Sequence, residues 1–398
     1  MRGRLAVAVA LAAAGGAASC NAIVGFSDLS KVDHCVKDCE GGAGDGGAGG
    51  ATPTDVWFGR SHTCASMSDK TLMCWGSNSN GQLGTGDTVD HATPVRVQGF
   101  ANVSYVALGQ LHTCAVDGDG KVWCWCANTR GQLGDGTNTE QHAPKLVAGL
   151  PPARKIQAGK EHTCAEMADG SLQCWGSNVA GELGDGKNVD RSVPSLVNNV
   201  TDVKKLSTGG GQHNCAVVND GSVWCWGNND KWQLGVKTPA TNPNPAKVPN
   251  LTGGSKIWVG FEHSCVLKGD ATVWCWGAND EGQLGNGTKN QTEVPQQVAT
   301  GVAGMGAGWR HTCASSTTTN DLKCWGTNDH GQLGVPGLPY ALAPTLVPGV
   351  VTANAGTKGE NTCALLDDAG LLCWGWNDQG QLGDGTKQDR PAPTFVKF

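Results

Sequence analysis

One histidine and two thiols recur together along this sequence. His62-Thr63-Cys64-Ala65 is followed ten residues after its cysteine by Cys74-Trp75-Gly76. The arrangement returns at His112/Cys114/Cys124, His162/Cys164/Cys174, His213/Cys215/Cys225, His263/Cys265/Cys275 and His311/Cys313/Cys324, and at Asn361/Cys363/Cys373, where asparagine stands in the histidine's place. An imidazole and two sulfurs are donors that zinc accepts. A closed zinc site needs four ligands, however, and neither a fourth ligand nor the usual Cys-x2-Cys pair is present. Oxidation of the thiols is the better chemistry. If the turn of the second copy centres on Asp119, Asp117 faces Lys121 and Cys114 faces Cys124, at a separation a disulfide spans. The expected bridges are therefore Cys64–Cys74, Cys114–Cys124, Cys164–Cys174, Cys215–Cys225, Cys265–Cys275, Cys313–Cys324 and Cys363–Cys373. The sixth pair is one residue longer, and its extra residue belongs in the turn at 315–320. The repeat histidines are read as hydrogen-bonding turn elements.

No catalytic constellation accompanies them. There is no nucleophile elbow, no phosphate loop and no acid–base pair at fixed spacing outside the repeats. The Gly-Asp-Gly runs at Asp135 and Asp185 look like calcium loops but carry one carboxylate each. A lytic or carbohydrate-active enzyme working in a central channel would need clustered carboxylates, and only scattered Glu161, Glu262 and Glu360 are on offer. The expectation is a non-enzyme without cofactor or metal. Net charge is −6 with no basic patch, which argues against nucleic acid as a partner.

The elements that carry these residues repeat with them. The cysteine motif advances by 50, 50, 51, 50, 48 and 50 residues, the period of a stacked or circular array. In the second copy, Val103 to Leu108 alternates apolar and polar, His112 to Val116 and Val122 to Trp125 are further strands, and Pro144 to Val147 is a short edge strand. Four short strands make one propeller blade. The sequence thus predicts an all-β, seven-bladed β-propeller over residues 55–398. The strand before His62 and the strand after Pro393 are expected to complete one blade from both chain ends. The tryptophans of the Cys-Trp-Gly motifs are assigned to the core. Cys126, at a glycine position of the repeat, is left unpaired.

Ahead of the array, Arg2 and Arg4 precede an apolar run from Leu5 to Ala18 that ends Ala17-Ala18-Ser19-Cys20. This resembles a bacterial lipoprotein signal, with residues 1–19 removed and Cys20 lipidated. Residues 20–54 read as a glycine-rich tether in which Cys35 and Cys39 are a further potential pair. An exported, membrane-anchored protein of the bacterial envelope also suits eighteen cysteines.

The motifs Gly-x-x-His-Thr-Cys-Ala, Cys-Trp-Gly-x-Asn and Gly-Gln-Leu-Gly-x-Gly resemble the repeats of the regulator of chromosome condensation family, in all seven copies. The resemblance implies a seven-bladed propeller. It leaves function open. Nucleotide exchange, as in the founding branch, fits poorly with an exported acidic chain. Light sensing needs Gly-Trp-Arg-His-Thr in several blades, and it occurs once, at Gly308 to Thr312. The exported branch that inhibits β-lactamases is the nearest analogue. The expected function is protein binding at the cell envelope, or alternatively inhibition of a periplasmic or extracellular enzyme.

The binding residues are sought where the repeats vary. Two residues precede each histidine position: Arg60/Ser61, Gln110/Leu111, Lys160/Glu161, Gly211/Gln212, Phe261/Glu262, Trp309/Arg310 and Gly359/Glu360. They should ring one face, with Arg60, Gln110, Lys160, Phe261, Trp309 and Arg310 as candidate contacts, since aromatic residues and arginine dominate interface energetics. A second variable set, which includes Arg130, Lys231, Glu281 and His330, precedes the Gly-Gln-Leu-Gly positions.

Overall fold

A computed structural model describes residues 51–352 and 354–398; Cys20, Cys35, Cys39 and most of the tether lie outside the described residues. Every blade is a four-stranded antiparallel sheet made of strands consecutive in the chain. In blade 1 these are Pro53–Phe58, His62–Met67, Leu72–Gly76 and His91–Arg96, from the axis outward. The inner strands of the other blades are Val103–Leu108, Ala153–Ala158, Val203–Thr208, Gly254–Val259, Val302–Ala307 and Asn354–Thr357. They neighbour one another around the axis, the first against the last.

The expected blade shared between the chain ends does not form. Pro53–Phe58 pairs with His62–Met67, and Arg390–Phe395 pairs with Leu371–Gly375, so both stay within their own blades. The boundary between units falls after the outer, proline-bearing strand, which leaves no fragment at either end to share. The ring closes by packing instead. Phe58, Ala65 and Trp75 of blade 1 share a core with Leu371, Leu382 and Val396 of blade 7.

Within each blade the second and third strands bring the cysteines directly opposite. Cys114 faces Cys124 and Cys313 faces Cys324, and all seven pairs are bonded with Cα–Cα distances of 4.1 Å. The longer sixth loop takes up its extra residue at the turn, where Asn320 has φ 54°.

The remaining letters of the repeat hold one blade to the next. Thr113 Oγ1 donates to Gln82 O of the preceding blade at 2.8 Å, and Trp125 Nε1 donates to the same carbonyl at 3.1 Å. Because the threonine proton goes to Gln82, its oxygen accepts from His62 Nε2 at 2.9 Å. The same net recurs from His112 to Thr163, His263 to Thr312 and His311 to Thr362, with Ser264 receiving His213 and Asn214 receiving His162. The histidines are thus inter-blade ties, not turn elements. Burial keeps them neutral, pulling the pKa down to about 3 for His62, His112, His213 and His311 and to about 4 for His263.

The imidazole also explains the glycine three residues before it. A Cβ at Gly59, Gly109, Gly159, Gly260 or Gly308 would fall 2.0–2.9 Å from the ring. Blade 7 departs at both positions together, with Lys358 for the glycine and Asn361 for the histidine. The smaller asparagine removes the ring that would collide with a side chain at 358.

Candidate functional site

The turns that follow the inner strands are stitched to one another by main-chain bonds. Gln110 N donates to Lys160 O, Lys160 N to Gly211 O, Phe261 N to Gly308 O and Trp309 N to Gly359 O, at 3.0–3.3 Å. These bonds carry the variable residues around one mouth of the central channel, as the repeat pattern implies.

Trp309 is the centre of the arrangement. Its ring lies 4.9 Å from that of Phe261 in the preceding blade, and the Arg60 guanidinium sits 4.4 Å from its centroid. From across the ring, Gly210 approaches so closely that a Cβ there would be 2.9 Å from the indole Nε1. Residues from blades 1, 4, 5 and 6 therefore meet over the channel mouth, and Phe261 and Trp309 do pack on each other. Arg60, Gln110, Lys160, Phe261 and Trp309 are half-buried, while Arg310 is exposed. Arg–indole stacking of this kind contributes about 0.5–2 kcal/mol, more as water is excluded.

The second variable set adjoins the first. Arg310 Nη1 lies 3.9 Å from Glu281 Oε1 in the preceding blade, and Lys289 Nζ is 3.7 Å from Glu281 Oε2. His330 stands between Asp389 at 2.7 Å and Glu360 at 3.7 Å, with the Trp376 ring 6.1 Å away. Sequence reasoning treats the two sets as separate, because their members are some 20–30 residues apart and come from different turns. In space they form one charged and aromatic surface. What this separation hid is that Glu281 of the second set stands beside Arg310 of the first.

Other positions are chemically quiet. Among the described residues no group of three or more histidines, cysteines or carboxylates is placed to hold a metal ion. The Gly-Asp-Gly loops are knotted by an asparagine: Asn128 Nδ2 donates to Asp135 Oδ1 at 3.2 Å and to Thr137 O at 3.0 Å. Cys126 is buried and its thiol donates to Leu111 O. Burial pushes its pKa up, away from the reactive thiolate.

The model of the regulator of chromosome condensation (RCC1) repeat matches residues 71–116, 119–165, 169–217, 220–267, 270–315 and 368–398, and a second model of the same repeat matches segments from 54 to 332. No curated protein matches the sequence. Among solved structures, yeast RCC1 (Prp20), determined with Kap60 bound, is 22% identical over 87% of this chain and 84% of its own, with a TM-score of 0.75. Human WBSCR16 is 19% identical over 82% of this chain and 95% of its own, with a TM-score of 0.73. The ectodomain of the receptor kinase CR4 of Physcomitrella patens is more distant, with 18% identity over 82% and 75% of the two chains and a TM-score of 0.51.

Proposed function

Since the chain belongs to the RCC1 repeat family, we propose that it is a non-enzymatic protein-binding propeller displayed at the bacterial cell envelope. The observation that carries this reading is the cluster of Arg60, Phe261 and Trp309 beside exposed Arg310 and its neighbour Glu281. Those are the side-chain types that anchor protein interfaces, held on a ring stapled by disulfides. Being already stacked, they lose little freedom on binding. Relatives bind proteins too: yeast RCC1 has been solved with Kap60 bound, and Prp20p of Saccharomyces cerevisiae has binding properties toward Gsp1p and histones.

The disulfide pairs point to an oxidising, exported setting. In this proposal Cys20 carries the lipid, the segment between it and the first strand at Pro53 gives the ring reach from the membrane, and no nucleic acid is involved. Inhibition of a periplasmic or extracellular enzyme is the more specific form of the same reading, and the preorganised surface favours it over a loose scaffold.

Residues 51–398, immobilised and exposed to envelope and secreted fractions of the host, should retain a specific protein. Trp309→Ala/Arg310→Ala should lose it, with affinity reduced roughly 30-fold or more, the cost of removing a hot spot. Equal capture by the double variant would overturn the assignment of this face.

A further inference from the structure

The inner strands enclose a second candidate site, on the propeller axis. A cavity of about 210 Å³ runs there, walled by all seven blades. At the mouth described above, Arg60, Gln110 and Trp309 leave a space of only about 10 Å³ over Lys358, so that end is closed. Entry is from the opposite mouth, where the inner strands begin.

The closed end is polar and incompletely bonded. Lys358 reaches across the ring to donate to Ala158 O, 200 residues away, and among the described residues this is its amine's one hydrogen bond. Ala158 pairs with Thr163, Thr208 with Asn214, and Thr357 with Thr362, so these three inner-strand residues sit at the same level of their blades. The amine therefore arrives level with two threonines. Thr208 and Thr357 both line the cavity, are 4% and 8% exposed, and neither Oγ1 has a partner among the described residues.

The charges around the cavity are unevenly matched. Lys205 also lines it, with Glu166 near enough to oppose its loss of charge, and Glu166 Oε1 accepts from Leu206 N at 2.8 Å. Lys358 has no such carboxylate, and burial alone lowers its pKa, to about 7. Toward the open end the wall is aromatic, with Trp57, Tyr105 and Trp258. Gln157 Nε2 holds the Tyr105 hydroxyl at 3.1 Å.

We propose that this cavity binds a small aromatic carboxylate, its anionic end on Lys358, Thr208 and Thr357 and its ring among Trp57, Tyr105 and Trp258. The size agrees: a cavity of about 150 Å³ takes the six carbons of benzene, so this one encloses roughly eight non-hydrogen atoms, and a ligand of about ten reaches into its open end. The paired replacement of glycine by Lys358 and histidine by Asn361 is what puts a cation on the axis. It occurs in one blade, as a site with one anion requires.

Calorimetry on the full chain tests this with phenylacetate and its neutral isostere phenylacetamide as probes. Phenylacetate should bind, and the amide should bind about tenfold more weakly or worse, the cost of losing a charge-assisted hydrogen bond. Lys358→Met should abolish that preference, and Thr208→Val/Thr357→Val, which leaves the lysine in place, should reduce it. Arg310→Ala, which alters the protein-binding face but does not line the cavity or its closed end, should still prefer the acid. Equal binding of acid and amide, unchanged preference in both channel variants, or no binding of phenylacetate up to about 10 mM, where even a weak site would register, would overturn the proposal.

Discussion

Cys126 has φ 93° at a position where Gly76 and Gly176 have φ 104° and 103°. A Cβ at those glycines would lie 2.5–2.6 Å from a carbonyl oxygen of the preceding turn, and the Cys126 side chain meets the corresponding oxygen, that of Leu111. Replacement by glycine relieves this strain, and Cys126→Gly should stabilise the protein by about 1–2 kcal/mol. A thermal melt should show a rise of a few degrees; an unchanged or lower midpoint would count against it. The repeat histidines predict an acid limb. Their folded pKa values lie below the ordinary value of about 6.5, so the unfolded chain takes up protons first as pH falls. Stability is complete above about pH 6.5 and declines toward pH 3, each histidine contributing about 1.4 kcal/mol per pH unit. Melting temperatures at pH 7, 5.5 and 4 measure this. A flat profile would show that the rings are solvated.

At the scale of the strand and hairpin, much was legible because it is local. The alternation of Val103 to Leu108, the turn at Asp119 and the meeting of Cys114 with Cys124 all follow from hairpin geometry over a few residues. The partners of the histidines were not, since each bond crosses to another blade 49–52 residues away. Closure by packing, without a blade shared between the chain ends, was not legible either, because a periodic pattern has no intrinsic first strand. Each disulfide closes a short loop, so Cys313→Ala/Cys324→Ala should lose roughly 2–3 kcal/mol by denaturant melt. Restoring histidine alone, in Asn361→His, should destabilise by more than 1 kcal/mol, on the order of an overpacked core, because the ring would collide with Lys358. Adding Lys358→Gly should recover most of that loss. Additive effects would contradict the pairing of the two positions.

For the whole molecule, closure is the organising fact. Trp75 Nε1 and Thr63 Oγ1 both donate to Gln381 O, so the junction between the last and first blades uses the same net as the others. The histidine tie is replaced there, and Asn361 Oδ1 has no partner among the described residues. Closure turns two sequence-separated variable sets into one surface and leaves a channel that a single blade can furnish with a charge. Neither Glu281 beside Arg310 nor Lys358 reaching Ala158 could be read from a linear repeat, since both depend on which blades come to face each other. The protein-binding face is the central claim, and site-specific photo-cross-linking tests it most directly. A photoreactive residue at exposed position 310, or at exposed position 204 near the opposite end of an inner strand, would be illuminated in the presence of envelope and secreted proteins. A discrete cross-linked partner from position 310 and none from 204 is the expected result. A partner captured from 204 instead, or from neither position, would contradict the assignment.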